Sequence, residues 1–392
     1  MNEDWRQGFT LEHLKRLAEP FKKAFGPHTY GAFGVPKERD VANALVKRRF
    51  AWLEDEHGVS AAAIWSQSEQ NTRQTTFTGD AVLIPAGDLV VQDVAALGDG
   101  QEAVVMLRSL FHARKAPAHW VEMHEEIAQR EVIARELELI WAASKITAGG
   151  EVKGLYVGGP AAQLRLPKPP SLADEGTLLC LEDEFLSPKV HGKIIGELAT
   201  YEQRHVWAQH YSSYNKRHSW TAFALRGYDA TDPGFIIKPG EMSQKWREGN
   251  PGRLAAESKW TTAAPEFPMT LEVVRDLAPA VDRVRFMRLT GEGELTRHAD
   301  ITDRTAGTRD GQVARLHIPI RSHEQVRFQA WSHRGVRIER TPHERALYYL
   351  DMRKPHAVQN QDPVRDRIHL VVDVVVDATL RLTIEKAVAS GC

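Results

Sequence analysis

The sequence predicts two domains, a mixed α/β domain followed by a β-rich domain built as a sandwich or small barrel. Three observations predict this. The chain has 392 residues, more than one ordinary hydrophobic core fills. In the first third, apolar stretches alternate between strand-like and helix-like spacing. Towards the C-terminus, short apolar runs divided by Gly, Pro and charged turns take over.

The elements follow in order. Residues 11–25 place Leu11, Leu14, Leu17, Phe21 and Phe25 at helical spacing. Residues 49–65 give two apolar stretches around an Asp-Glu-His-Gly tip, the pattern of a hairpin. Residues 88–94 read as a strand, 101–112 as a helix and 119–123 as a strand. A helix is expected over 127–146, stopped by Gly149-Gly150, with a strand returning at 153–157. Pro167, Pro169 and Pro170 stiffen residues 165–176, which are expected to link a domain of residues 1–164 to one of 177–392. Residues 187–211 read as a long polar helix. Strands are expected at 220–225, 235–238, 284–289, 315–320, 326–331, 346–350 and 367–376.

Composition narrows the function. The 51 Lys and Arg against 52 Asp and Glu leave a net charge of −1, which argues against a protein that coats nucleic acid. Two cysteines, Cys180 and Cys392, build neither a disulfide framework nor a Cys-rich zinc site. The polar start lacks a signal-peptide core, and no run approaches the ~20 apolar residues of a membrane span. The expected location is cytoplasmic, with no membrane partner.

Residues 288–373 carry the chemistry. A ferrous site with two imidazoles and one carboxylate on one face keeps three positions open for substrates. His298 and Asp300, two residues apart in an extended segment, point the same way. His356 follows an expected strand and turn, and is the expected third ligand. The open positions suit a chelating 2-oxo acid, whose remote carboxylate needs a cation. Arg367 opens the strand RIHLVVDV, where alternation puts Arg367 and His369 on one face and Ile368, Leu370 and Val372 on the other. The strand RLHIPI repeats the device with Arg315 and His317. Residues 281–367 hold 17 Lys and Arg, all but Lys354 arginine, against 12 Asp and Glu, and arginine's planar fork matches carboxylates. An acidic substrate or cosubstrate is expected.

The segments RHAD, RLHIPI, ALYYLDMRKPHAV and RIHLVVDV resemble the aspartyl/asparaginyl β-hydroxylase family and are similar to its bacterial cis-proline hydroxylases. The likeness covers residues 284–377 and extends weakly back to 186. It implies a double-stranded β-helix of the jelly-roll, cupin-like kind and an Fe(II)- and 2-oxoglutarate-dependent dioxygenase. His298, Asp300 and His356 would hold iron, Arg367 would bind the distal carboxylate of 2-oxoglutarate, and Arg315 and His317 would also contact the cosubstrate. Hydroxylation of a free amino acid, or of a side chain in a peptide or protein, is the implied activity, with succinate and CO₂ as co-products. Oxidation of a nucleobase is disfavoured by the near-neutral charge.

The first domain resembles the GNAT superfamily of N-acetyltransferases through the hairpin RFAWLEDEHGVSAAAIW, the segment DLVVQDVAALGDGQEAVVMLRSLF and the strand PAHWVEM. That fold holds acyl-CoA pyrophosphate on backbone N–H groups where a glycine loop enters a helix. Gly98 and Gly100 occupy the glycine positions, but Ala95 stands where Arg or Gln is expected and Asp99 adds a negative charge. Weak or no acetyl-CoA binding is therefore expected. Two other readings are a bifunctional acyltransferase–hydroxylase and a non-catalytic binding or sensing module.

Overall fold

The computed structural model describes residues 50–391, apart from 56, 57, 97, 126, 128, 211, 213, 214, 216 and 255. The helix expected at 11–25 lies outside the described residues. The chain divides into two compact units, one running to Pro169 with His333–Gly335, the other taking Pro170–Ser332 and the chain from Val336 onward.

The first unit is mixed α/β. Its strands are β1 (Phe50–Asp55), β2 (Gly58–Gln67), β3 (Thr72–Thr75), β4 (Ala81–Ile84), β5 (Leu89–Ala96), β6 (His119–His124), β7 (Ile140–Ile146) and β8 (Val152–Gly158). Six of them form a sheet in the order β1-β2-β5-β6-β8-β7, while β3 and β4 make a separate ribbon. Helix α1 (Gln101–Arg114) connects β5 to β6, the parallel pair of the sheet. It buries Ala103, Val104, Met106, Leu107 and Leu110 in one core with Val91, Val94, Val121 and Met123 of those strands. Each large side chain so buried contributes about 1.5–3 kcal/mol. The β5–β6 register spans only Leu89–Val91 against His119–Val121, so the two strands part beyond Val91.

The helix expected over 127–146 is a correction. Helix α2 covers only Arg130–Glu136, and Glu138 takes a left-handed φ of 52° that ends it. Ile140–Ile146 is then an edge strand paired antiparallel with β8. Ladder bonds to β8 and the strand preference of Ile140, Trp141 and Ile146 outweigh the helical propensity of the Leu, Ala and Glu residues here.

The linker is also shorter than expected. Arg165 closes helix α3 (Ala162–Arg165) and donates to the buried Asp88 at 3.0 Å. Ser171 and Asp174 form a capping box on helix α4 (Leu172–Glu175). Both ends of the Pro-rich stretch are therefore built into structure.

The second unit is β-rich. Its strands are β9 (Leu178–Glu182), β10 (Ala208–Gln209), β11 (Trp220–Gly227), β12 (Lys259–Trp260), β13 (Val281–Leu289), β14 (Glu294–His298), β15 (Val313–Arg321), β16 (Val326–Trp331), β17 (Arg337–Arg340), β18 (Leu347–Leu350), β19 (His356–Asn360) and β20 (Arg367–Val375). A larger antiparallel sheet runs β10-β11-β13-β20-β15-β18-β9, with β12 on β11, and a smaller one runs β14-β19-β16-β17. Helices α5 (Pro188–Glu202), α6 (Gln244–Gly249), α7 (Pro268–Leu277) and α8 (Ala378–Ser390) complete it.

Alternation gives the large sheet two different faces. Leu316, Ile318, Ile320, Ile368, Leu370 and Val372 join the apolar core with Ile194 and Leu198 of α5 and Val273 and Val274 of α7. The opposite face packs Trp220, Met287, Leu289 and Val371 against Leu295, Phe328, Ala330 and Val358 of the small sheet. The polar residues of that inner face lie between the two sheets.

Two expectations fail here. The helix expected over 187–211 stops at Glu202. Beyond it Trp207 packs edge-on against Phe223, with ring centres 4.7 Å apart, and Ala208–Gln209 pairs with β11. Residues 235–238 are irregular rather than a strand. Pro233 and Gly234 precede them and Pro239 follows, and proline cannot donate to a ladder.

Candidate functional site

A cavity of about 540 Å³ opens between the two sheets of the second unit, lined by His298, Asp300, His356, Arg315, His317 and Arg367 among others. All six residues expected from the sequence to form a site therefore line one space.

The small sheet supplies the first group. His298 ends β14 and His356 begins β19, and the two are cross-strand partners with ring centres 4.3 Å apart. Asp300 follows two residues after β14, its backbone N–H donating to the Met352 carbonyl at 2.8 Å. His298 Nδ1 lies 2.8 Å from the Thr296 carbonyl and His356 Nδ1 lies 2.9 Å from the Lys354 carbonyl. A carbonyl only accepts, so each Nδ1 carries a proton and Nε2 is the ring atom left for a metal. The ligand atoms of His298, Asp300 and His356 lie within 4.8 Å of one another. Burial, then the neighbouring His298, lower His356 to about 4, so its lone pair survives at neutral pH. Burial would raise the Asp300 carboxyl, but Arg315 above all holds it well below the usual carboxylate range.

The large sheet supplies the second group. Asp373, fully buried on β20, accepts from Arg283 Nε at 2.7 Å, Arg285 Nη2 at 2.8 Å and Arg315 Nε at 2.8 Å. Arg315 then reaches the Asp300 carboxylate with Nη1 at 2.6 Å. One buried carboxylate thus aims the guanidinium that fixes one oxygen of Asp300, leaving the other towards the histidines. Arg315 was expected to meet a cosubstrate; the structure has it hold Asp300.

Arg367 is unlike these arginines. It is buried beside the cavity, donates from Nη2 to His369 Nδ1 at 2.7 Å, and has no ion pair to a carboxylate among the described residues. Its Nε has no hydrogen-bond partner, and neither do His317 Nε2 and His369 Nε2. Burial lowers Arg367 to about 9, while burial and the Arg367 charge push His317 and His369 well below the usual imidazole range. A buried cation with no counter-charge is costly. The polar atoms around it fit an anionic ligand at this end of the cavity.

The residues present therefore fit a divalent metal at one end and a carboxylate at the other. His210, Glu241 and Trp246 also line the cavity, and sequence reasoning missed them. His210 stacks on Trp220, with ring centres 3.4 Å apart, and its Nδ1 accepts the Ser212 N–H at 3.3 Å. His210 sits in an irregular segment and Glu241 and Trp246 in short helical turns, too short for a periodicity to mark a face. Arg283, Arg285 and Asp373 carried a usable signal: all sit at even spacing on strands, on the same face as Arg367.

The glycine loop of the first unit is the other motif residue set. Gly98 and Gly100 have φ of 66° and 90°. A Cβ on Gly100 would lie 2.6 Å from Gln129 Cβ, and Gln129 Nε2 donates to the Gly98 carbonyl at 2.6 Å. The Asp99 carboxylate accepts the Gln101 N–H at 3.0 Å. The glycines thus allow α2 to pack closely, and an acidic side chain already occupies the start of α1. These residues do not fit an acyl-CoA pyrophosphate.

No protein-family model matches the chain, and no curated protein matches it. Among solved structures, an acetyltransferase of the GNAT family from Streptococcus agalactiae is 12% identical, covering 41% of this chain and 94% of its own, with a TM-score of 0.29. A prolyl-4-hydroxylase from Pseudomonas putida is 13% identical, covering 53% of this chain and all of its own, with a TM-score of 0.30. The non-heme alpha-ketoglutarate-dependent epimerase SnoN from nogalamycin biosynthesis is 10% identical, covering 52% and 81%, with a TM-score of 0.33. No helix among the described residues is long and apolar enough to cross a membrane.

Proposed function

We propose that the second unit is an Fe(II)- and 2-oxoglutarate-dependent oxygenase that hydroxylates an amino-acid-type substrate, free or within a peptide or protein. One observation carries the reading. Two imidazoles oriented through Nδ1 and a carboxylate line the same cavity as a buried arginine that lacks a carboxylate partner among the described residues. A dication and a dicarboxylate added to Asp300 and Arg367 leave the site formally neutral.

His298, Asp300 and His356 would hold the iron, and Arg367 would bind the far carboxylate of 2-oxoglutarate. When bound, the pair supplies oxidative chemistry that couples dioxygen reduction to decarboxylation of the cosubstrate. The chain's own residues do the positioning. The carbonyls of Thr296 and Lys354 orient the imidazoles, and Asp373 through Arg315 orients Asp300. His317 lines the same space, with its Nε2 buried and without a partner. Phe328, Leu295 and Val358 keep the wall apolar. Trp246, Met242 and Glu241 would meet the amino-acid-type substrate.

The test is an anaerobic titration of the whole chain with Fe(II) and 2-oxoglutarate, read by the visible metal-to-ligand charge-transfer band. The band is expected in the parent, absent from His298→Ala and weakened in Arg367→Ala. A folded parent without the band overturns the proposal and favours a binding module.

A further inference from the structure

A second cluster of donor atoms lies outside the cavity. Cys180 sits on β9, an end strand of the large sheet, and is the cross-strand partner of Tyr348 on β18. Asp183 lies in the turn after β9, and His343 lies in the segment leading to β18. Cys180 Sγ is 3.1 Å from Asp183 Oδ1, His343 Nε2 is 3.3 Å from the same oxygen, and all three donor atoms lie within 4.8 Å of one another. In a tetrahedral zinc site, bonds of about 2.3 Å to sulfur and about 2.0–2.1 Å to nitrogen or oxygen put neighbouring ligand atoms roughly 3.3–3.6 Å apart. The cluster is already close to that geometry.

The imidazole is also held for the role. His343 Nδ1 lies 2.9 Å from the Tyr348 hydroxyl, which also accepts the His343 backbone N–H at 3.4 Å. The ring is tied through Nδ1 and turns Nε2 towards Cys180 and Asp183, as the outer hydrogen bond of a metal-binding histidine does. Mixed sulfur, nitrogen and oxygen donors suit a borderline cation of the zinc class and reject magnesium or calcium.

We infer that Cys180, Asp183 and His343 form a site for a divalent cation of the zinc class, separate from the oxygenase cavity, with one position left open to solvent. One ligand lies on β9, the second in the turn that follows it, and the third precedes β18. The ion therefore ties the end of a strand with one hydrogen-bonded neighbour to the segment that enters that neighbour.

Cobalt(II) titrated into the reduced whole chain tests this, because thiolate bonded to cobalt gives a near-ultraviolet charge-transfer band. The described residues that line the cavity include no thiol, so its own metal does not contribute to that signal. The band is expected in the parent, in Cys392→Ser and in His298→Ala, to be lost in Cys180→Ser, and to require at least tenfold more cobalt in His343→Ala. Zinc is expected to displace it. No band in the parent, a band that survives Cys180→Ser, or an unchanged affinity in His343→Ala overturns the inference. His343 is exposed, so that variant remains informative if Cys180→Ser folds poorly.

Discussion

The loop of Gly98 and Gly100 in the first unit and the cavity of the second both carry a motif, and the structure treats them in opposite ways. In the loop, side chains of the protein itself take the head of α1 and the space beside Gly100. Asp99 accepts a backbone N–H at the head of α1, and Gln129 fills the space beside Gly100. In the cavity, Arg367 Nε and His317 Nε2 are buried without partners, and two imidazoles stand beside a carboxylate. A motif marks a site when the fold leaves its polar groups unsatisfied, because only then does a ligand recover the cost of burying them.

The same contrast recurs within the second unit. Arg353 is as buried as Arg367, yet it bonds Asp351 at 2.8 Å and Asp174 at 2.8 Å. Asp174 in turn accepts from Thr308 at 2.7 Å. The first arginine is part of the fold, and the second is poised for a ligand.

The largest effect should come from the metal ligands. His356→Ala removes one of three protein donors, so the Fe(II) and 2-oxoglutarate band and succinate formation should both disappear. Retention of either would break the contrast at its stronger end.

The two arginines come next and should respond with opposite signs. Arg353→Met strands two buried carboxylates, and its expected cost is about 3–5 kcal/mol in denaturant unfolding. Arg367→Met removes a buried charge that has no counter-ion among the described residues. It should leave the ligand-free protein equally or more stable, and raise the 2-oxoglutarate dissociation constant about 100-fold, since a charged hydrogen-bonded pair is worth up to about 3 kcal/mol. A large stability loss in Arg367→Met would make it a structural residue like Arg353.

Much of the cavity was legible because period-2 alternation assigns faces without knowledge of the fold. Arg315 and His317, and Arg367 and His369, were placed opposite Leu316, Ile318, Ile368 and Leu370, and the structure separates them that way. Asp373 lies on the same face of the same strand, but its meaning depends on Arg283 and Arg285 arriving from β13. That is long-range information. Residues 127–146 misled for a related reason: their Leu, Ala and Glu content favours a helix, while pairing with β8 decides for a strand. His210 lies where the chain is irregular and Trp246 in a helix of six residues, so no pattern points to a side.

A pH dependence sharpens the comparison from the structural side. Burial would raise the Asp174 carboxyl, but Arg353 first, then the Ser171 and Thr308 hydroxyls, hold it down at about 2. The folded value lies below the unfolded value of about 3.9, so the stabilisation is complete above that pH and is lost as pH falls through 4 towards 2. It amounts to roughly 2–3 kcal/mol. Asp174→Asn should flatten this part of the acid-unfolding curve, and an unchanged curve would remove Asp174 from the network.

The smallest effect belongs to the glycine loop. Gly100→Ala places a Cβ at a left-handed φ of 90° and 2.6 Å from Gln129 Cβ, so α2 must shift or Gln129 must move. The strain is about 1–2 kcal/mol, read as a lower melting temperature, while the iron and 2-oxoglutarate band stays as in the parent. If the loop were a phosphate cradle, the same substitution would cost acetyl-CoA affinity. Calorimetry of the parent should therefore show no acetyl-CoA binding. Binding that Gly100→Ala then abolishes would reverse the contrast, because the loop would have kept backbone donors for a ligand despite Asp99.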